Sequence, residues 1–193
     1  MMWGEKPAEC ACVVATLFKE QGLKKILIPG YGYGRNAKAF IGNGLVVTGI
    51  EISQTAIELA KKHDGESVLV YHGSVSDMPF DTVLYDGVFC YGLIHLLNKH
   101  QRAKLIKDCY NQLQAGGFMV FVAISKTDHA YGVGEEIDKD TFFAPHGVTI
   151  FFYDKDSVTN EFGNSGMVEA KEIEESSREF WQITCKKEEP PKS

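Results

Sequence analysis

Apolar residues along this chain fall into short unbroken runs, separated by segments in which they recur every three or four positions. That is the alternation of strands and helices found in an α/β domain. Residues 26–28, 45–50, 68–72, 85–91 and 118–124 are predicted strands. Several of them lack the polar alternation of a half-exposed strand, as in a parallel sheet buried on both faces. Helices are predicted between them. The first ends at Gln21 before Gly22, with Ala11, Val13, Val14, Leu17 and Phe18 on one face. Others begin near Arg35, cover 54–63 behind a Ser53 cap with Ala56, Leu59 and Ala60 inward, and cover 99–113. The last of these presents Ala103, Leu105, Ile106, Cys109, Tyr110 and Leu113, and Gly116 with Gly117 stops it.

The pattern changes after residue 124. Residues 125–147 mix polar side chains with His129, Tyr131, Phe142, Phe143 and His146 and predict a long loop over the substrate. A strand at 148–153 and a helix at 154–162 follow. Strands at 167–174 and 178–186, joined by a short polar turn, predict an antiparallel hairpin at a sheet edge.

Length and charge narrow the partners. A chain of 193 residues suits one domain, residues 1–187, with 188–193 as a charged tail. A net charge of -6 disfavours sequence-independent nucleic-acid binding, which needs a basic surface. No run long enough to span a membrane and no signal-peptide pattern is visible, so a cytoplasmic protein is expected. The five cysteines are odd in number and mostly in apolar contexts, as packed reduced thiols are. Cys10 and Cys12 lack the spacing of a zinc pair, so no metal is expected.

The chemistry concentrates in residues 26–53, a strand, a glycine-punctuated turn, a helix and a strand ending on an acid. Pro29 ends the first strand, and Gly30, Gly32 and Gly34 allow a turn that a ligand can approach closely. A helix start near Arg35 aims free N–H groups at the same space. Glu51 then stands where a carboxylate accepts ribose hydroxyls, although a tight turn and a solvated strand end would look alike. In the loop at 73–79, Asp77 can accept from an exocyclic amine beside Val75 and Met78, or merely shape the turn before Pro79. Trp3 and Glu5 precede the first helix and could cover the mouth of such a site. His95 and His129 are the candidate general bases, although the apolar residues after His95 favour a hydrogen-bonded histidine at a helix start. Tyr91, Tyr131, Phe142 and Phe143 could form an aromatic pocket.

These motifs resemble the Rossmann-like class I S-adenosylmethionine-dependent methyltransferases. ILIPGYGYGR is similar to that family's first motif, TGIEIS to its second, SVSDMPF to its adenine loop, YDGVFCYGLIHLL to its fourth and LQAGGFMVFV to a later strand. Within the class, PGYGYGRN and YGVGEEIDKDTF are similar to tellurite-resistance-type and thiopurine-type enzymes. The resemblance implies a three-layer αβα sandwich around a seven-stranded, mostly parallel sheet with a reversed last strand. It implies S-adenosylmethionine as cofactor, held by Gly30, Tyr31, Gly32, Gly34, Glu51, Ile52, Asp77 and Met78, with Cys90 and Tyr91 near its methionine end. Arg35 would meet the cofactor carboxylate or pair on the surface. Where many members carry an acid two residues before the first glycine, this chain has Ile28. A small-molecule acceptor, a catalytic role for His95 and a monomer or homodimer complete the expectation. The rival readings are a non-catalytic cofactor-binding protein and an NAD-dependent oxidoreductase, against which the GxGxG spacing argues.

Overall fold

The computed structural model describes residues 4–64 and 68–189, apart from the side chains of His63 and Asp64; Trp3 lies outside the described residues. Its centre is a seven-stranded sheet. Helix α1 (Glu9–Glu20) leads into β1 (Lys25–Pro29), α2 (Ala37–Gly42), β2 (Val46–Glu51), α3 (Gln54–Asp64) and β3 (Leu69–His72). Then come β4 (Tyr85–Tyr91), α4 (Lys99–Asn111) and β5 (Leu113–Ile124). A small sheet of β6 (Glu135–Asp138), β7 (Thr141–Phe143) and β8 (Thr149–Phe151) precedes α5 (Lys155–Phe162) and the hairpin β9 (Met167–Glu175) and β10 (Arg178–Lys186).

The large sheet runs in the order β3-β2-β1-β4-β5-β10-β9. Pairing is parallel from β3 through β5, and β10 is antiparallel to both β5 and β9. Successive residues of a strand serve opposite faces. Ile26, Ile28, Phe89, Val120 and Val122 pack with α1 and α2 on one side, whereas Leu27, Val88, Cys90, Met119 and Phe121 pack with α4 and α5 on the other. The three-layer αβα architecture and the reversed hairpin strand agree with the sequence expectation. Strand order reverses between β1 and β4, the place where open α/β sheets bind ligands.

Several local expectations are corrected. Val13 is 57% exposed, while Cys10 and Ala15 take the buried face of α1. On α4, Ala103 is exposed and Arg102 is buried, because its guanidinium pairs with Glu161 across the interface with α5. Helix α4 opens on a capping box between Asn98 and Gln101 and ends at Asn111, before the glycines. Gly116 and Gly117 lie inside β5 instead, in an irregular stretch where the pairing with β4 jumps from Tyr85 and Leu113 to Gly87 and Phe118. A Cβ at Gly117 would come 2.7 Å from the Asp86 carbonyl oxygen. The expected loop at 125–147 contains β6 and β7, and the expected strand at 148–153 shortens to β8 and joins them, not the main sheet. Short strands with an exposed face, such as β6, offer too little apolar alternation to be read from sequence.

Candidate active site

A cavity of about 780 Å³ opens at the carboxyl ends of β1, β4 and β5, beneath the β6–β8 sheet. Its walls are the glycine turn (Gly30 to Gly32), Tyr91, Gly92 and His95 after β4, Ile124 at the end of β5, and Arg178 and Phe180 on β10. Phe142, Ala144, Val148, Ile150 and Phe152 close it from above.

The glycine turn leaves β1 with φ of 73°, 60° and 83° at Gly30, Gly32 and Gly34, a region open to glycine at little cost. The Gly30 and Tyr31 N–H groups both donate to the Ile50 carbonyl, which ties the turn to β2. A Cβ at Gly32 or Gly92 would meet no protein atom within 4 Å, so bare backbone borders the cavity at both places. Tyr31 is buried, its ring lying over Gly49, where a Cβ would come within 2.5 Å of it. The glycine in TGIEIS is thus explained by packing against the turn.

Glu51, half-buried at the end of β2, accepts the Gly32 N–H at 2.7 Å on one oxygen and the Ser53 N–H at 2.8 Å on the other. Each oxygen retains a further lone-pair site for a ligand. Glycine turn and acid, 19 residues apart, are therefore joined directly. Ile52 next to it is 67% exposed. The Gly73 N–H donates to the Glu51 carbonyl and places the 73–79 loop along the same rim.

The other predicted residues divide. Arg35 and Tyr91 line the cavity with their groups in contact, the guanidinium 5.6 Å from the ring centroid. Burial, above all, pushes the Tyr91 hydroxyl up to about 12. Glu51, Ile52, Asp77 and Met78 lie along the rim beyond the cavity lining. Asp77 is exposed in a 3-10 turn whose cap is Ser74, and Met78 is buried in the core beneath it. Cys90 points to the opposite face of β4, into the α4 and α5 core, so only its backbone faces the site. Of the four aromatics foreseen, Tyr91 and Phe142 line the cavity; Phe143 is 45% exposed on the outer face of β7, and Tyr131 packs edge-on against Phe142 and Phe152 behind it.

His95 is buried in a 3-10 turn after β4, and its Nδ1 accepts the Ile124 N–H at 3.1 Å. That bond assigns the proton to Nε2 and leaves no free lone pair on the ring. Burial, first, and the nearby Arg178 charge lower its pKa from 6.5 to about 3. His95 therefore offers the cavity a hydrogen-bond donor and does not have the form of a general base. Between pH 3 and 6.5 the unfolded chain binds a proton that the folded chain does not, so stability falls as pH falls through that window. His95→Gln keeps an acceptor for Ile124 and removes the titration. Against this variant, the wild type is expected to lose close to the ~1.4 kcal/mol per pH unit carried by one proton, measured by urea unfolding at pH 4.5 and 5.5.

The sequence gives no sign of Arg178, nor of Ile150 and Phe152 in the cavity cover. Arg178 begins β10 immediately after two serines with positive φ, in a polar turn that reads as surface. Its Nε donates to Asp128 at 2.8 Å, and this fully buried carboxylate also receives the Ala130 and Glu179 N–H groups. His129 also lines the cavity, with its side chain 71% exposed. Among the described residues no cluster of three or more His, Cys, Asp or Glu is placed to hold a metal, and no helix is long and apolar enough to cross a membrane.

Residues 27–121 match the family model described as a methyltransferase domain. The ubiquinone biosynthesis O-methyltransferase of Coxiella burnetii is 29% identical over 111 residues, 56% of this chain and 47% of that protein. Thiocyanate methyltransferase 1 of Arabidopsis thaliana is 28% identical over 124 residues, 62% of this chain and 55% of that one. The chain thus spans about half the length of these relatives. Among solved structures, the 1,6-didemethyltoxoflavin-N1-methyltransferase of Burkholderia thailandensis, with its substrate and S-adenosylhomocysteine bound, superposes with a TM-score of 0.74 at 15% identity, covering 94% of this chain and 78% of that one. An S-adenosylmethionine-dependent methyltransferase from Clostridium acetobutylicum gives 0.75 at 12% identity, covering 92% and 90%. Motif order, strand order and these likenesses agree: residues 27–121 form a methyltransferase domain, on the fold of the class I S-adenosylmethionine-dependent methyltransferases.

Proposed function

We propose that the chain is an enzyme that transfers the methyl group of S-adenosylmethionine to a small-molecule acceptor held in the cavity. The observation that carries this reading is the Glu51 bond to the Gly32 N–H, which sets a ribose-binding acid against a glycine turn bordering that cavity. Gly30, Tyr31, Gly32 and Gly34 shape the cradle, Glu51 takes the ribose hydroxyls, and Ile52 offers an apolar face to the adenine, with Asp77 and Met78 in the loop beyond. Arg35 meets the cofactor carboxylate, and Tyr91 with the Cys90 backbone borders the methionine end. Ile28 is buried in the core and supplies no acid there.

When bound, the cofactor supplies a methyl group on a sulfonium that departs as a neutral thioether. The protein has to hold the acceptor atom in line with that methyl, and orientation of this kind is worth roughly 7–11 kcal/mol in favourable cases. The apolar walls exclude water, and the His95 Nε2–H steadies the acceptor. An acceptor whose nucleophilic atom arrives unprotonated suits a site in which this imidazole is a donor.

Residues 1–187 act as one catalytic domain with 188–193 as a charged tail, as a monomer or homodimer in the cytoplasm. The cysteines at 10, 12, 90, 109 and 185 are free, as a reducing compartment keeps them. The net charge of -6 opposes binding to a polyanion such as nucleic acid. Calorimetric titration with S-adenosylmethionine and S-adenosylhomocysteine, with NADH and NADPH as controls, tests the reading. Micromolar binding of the first pair alone supports it. Binding of the nicotinamides alone overturns it, and cofactor binding without S-adenosylhomocysteine production from any acceptor leaves a non-catalytic binding protein.

A further inference from the structure

The cavity floor is a row of side chains with a cation at each end. Arg35 lies over the Tyr91 ring, whose centroid is 5.8 Å from that of Phe180. Phe180 and Arg178 are two residues apart on β10 and so share its cavity face. Strands β1 and β10 are separated by β4 and β5, which puts the glycine turn and Arg178 roughly 14 Å apart across the sheet. The two arginines therefore belong to different ends of one site.

At the Arg178 end the geometry is that of a receptor for an anion. Nε is spent on buried Asp128, which fixes the plane of the guanidinium. Among the described residues, Nη1 and Nη2 donate to no protein acceptor. His95 stands beside it: its Nδ1 takes the N–H of Ile124, the register partner of Phe180, leaving the Nε2–H for the cavity. Among the described residues no aspartate or glutamate lines the cavity, and the one carboxylate on Arg178, Asp128, is held at Nε. Phe142, Phe152 and Ile150 supply a broad apolar wall opposite.

We propose that the acceptor is an anion, a carboxylate or comparable oxyanion on a flat apolar body, and that Arg178 is the residue that selects it. The inference rests on the methyl-transfer reading only for what happens to the bound molecule. A carboxylate accepts in the plane of the guanidinium fork, and a neutral amide of the same shape cannot match two charge-assisted bonds. The cofactor carboxylate is accounted for at the other end by Arg35.

Matched pairs of hydroxy- and mercaptobenzoates and their primary amides provide the test, with affinity measured by ligand-observed NMR on the wild type, Arg178→Gln and Arg178→Lys. The acids should bind the wild type roughly tenfold or more tightly than their amides. Arg178→Gln should abolish that preference by weakening the acids alone, and Arg178→Lys should restore part of it. Circular dichroism checks that the variants fold, and the acid–amide comparison on the wild type stands without them. Equal affinity for acid and amide, no binding of either, or a preference that survives Arg178→Gln overturns the proposal. S-adenosylmethionine affinity, measured separately by calorimetry, should be unchanged in Arg178→Gln. A loss there with acid preference intact would assign Arg178 to the cofactor. Failure of the wild type to bind the cofactor would remove the methyl-transfer reading while leaving the anion site to stand or fall on the acid–amide ratio.

Discussion

Glu51→Ala is expected to weaken S-adenosylmethionine binding by about one to two orders of magnitude while the chain stays folded. Hydrogen bonds to a charged group contribute about 1.5–3 kcal/mol, which sets that range for a ribose held by a carboxylate. Part of the effect arises without ligand. The side chain holds both the Gly32 and Ser53 N–H groups, so its loss releases the glycine turn from the end of β2 and makes the cradle less organised before the cofactor arrives. Glu51 is half-buried at the rim and makes no contact deep in the core, so the cost in stability should be small. Glu51→Gln keeps the acceptor oxygen but loses charge, and should fall between the wild type and alanine. Calorimetry of the three proteins checks the order. Unchanged affinity in a folded Glu51→Ala would remove this residue from the site.

Glu161→Ala should be the most damaging of the substitutions considered, lowering unfolding free energy by about 3–5 kcal/mol. Arg102 on α4 is buried and donates from Nε and Nη2 to Glu161 on α5, at 3.0 and 2.8 Å. The Tyr153 hydroxyl donates to the other carboxylate oxygen at 2.7 Å, and Arg102 Nη1 reaches the Leu97 carbonyl. The guanidinium also lies 3.9 Å from the Phe151 ring centroid. Removing the carboxylate strands a buried cation among aromatic rings without its charged partner. Because the network joins α4, α5 and the end of β8, its loss should also loosen the sheet that roofs the cavity. The measurement is the urea midpoint; a loss below about 1 kcal/mol would put this pair among solvent-screened surface bridges.

The parallel strands were legible in the sequence because a strand buried on both faces must be apolar at successive positions. Ile26 to Ile28 and residues 118–124 show that directly. Glycines at 30, 32 and 34 and the acid at 51 were legible for a similar reason, since backbone geometry and charge at a strand end restrict the residues allowed. Those local constraints determined the α/β class and the position of the cradle, and the resemblance carried by the same motifs implied the seven-stranded αβα sandwich. Tertiary structure decided the rest. Strands β6 and β7 read as a loop in the sequence because β6 has four exposed residues, and its pairing partner provides the order that its own pattern lacks. His95 was a candidate base until the Ile124 N–H, 29 residues away, occupied its lone pair. Arg178 had no signal at all, since a cation after a polar turn reads as solvated. Only the antiparallel return of β10, which sets Phe180 against Ile124, and the burial of Asp128, 50 residues distant, turn it into the cavity. A residue's own neighbours in sequence specify its backbone, whereas its protonation, its orientation and the space it faces are set by groups that only folding brings near.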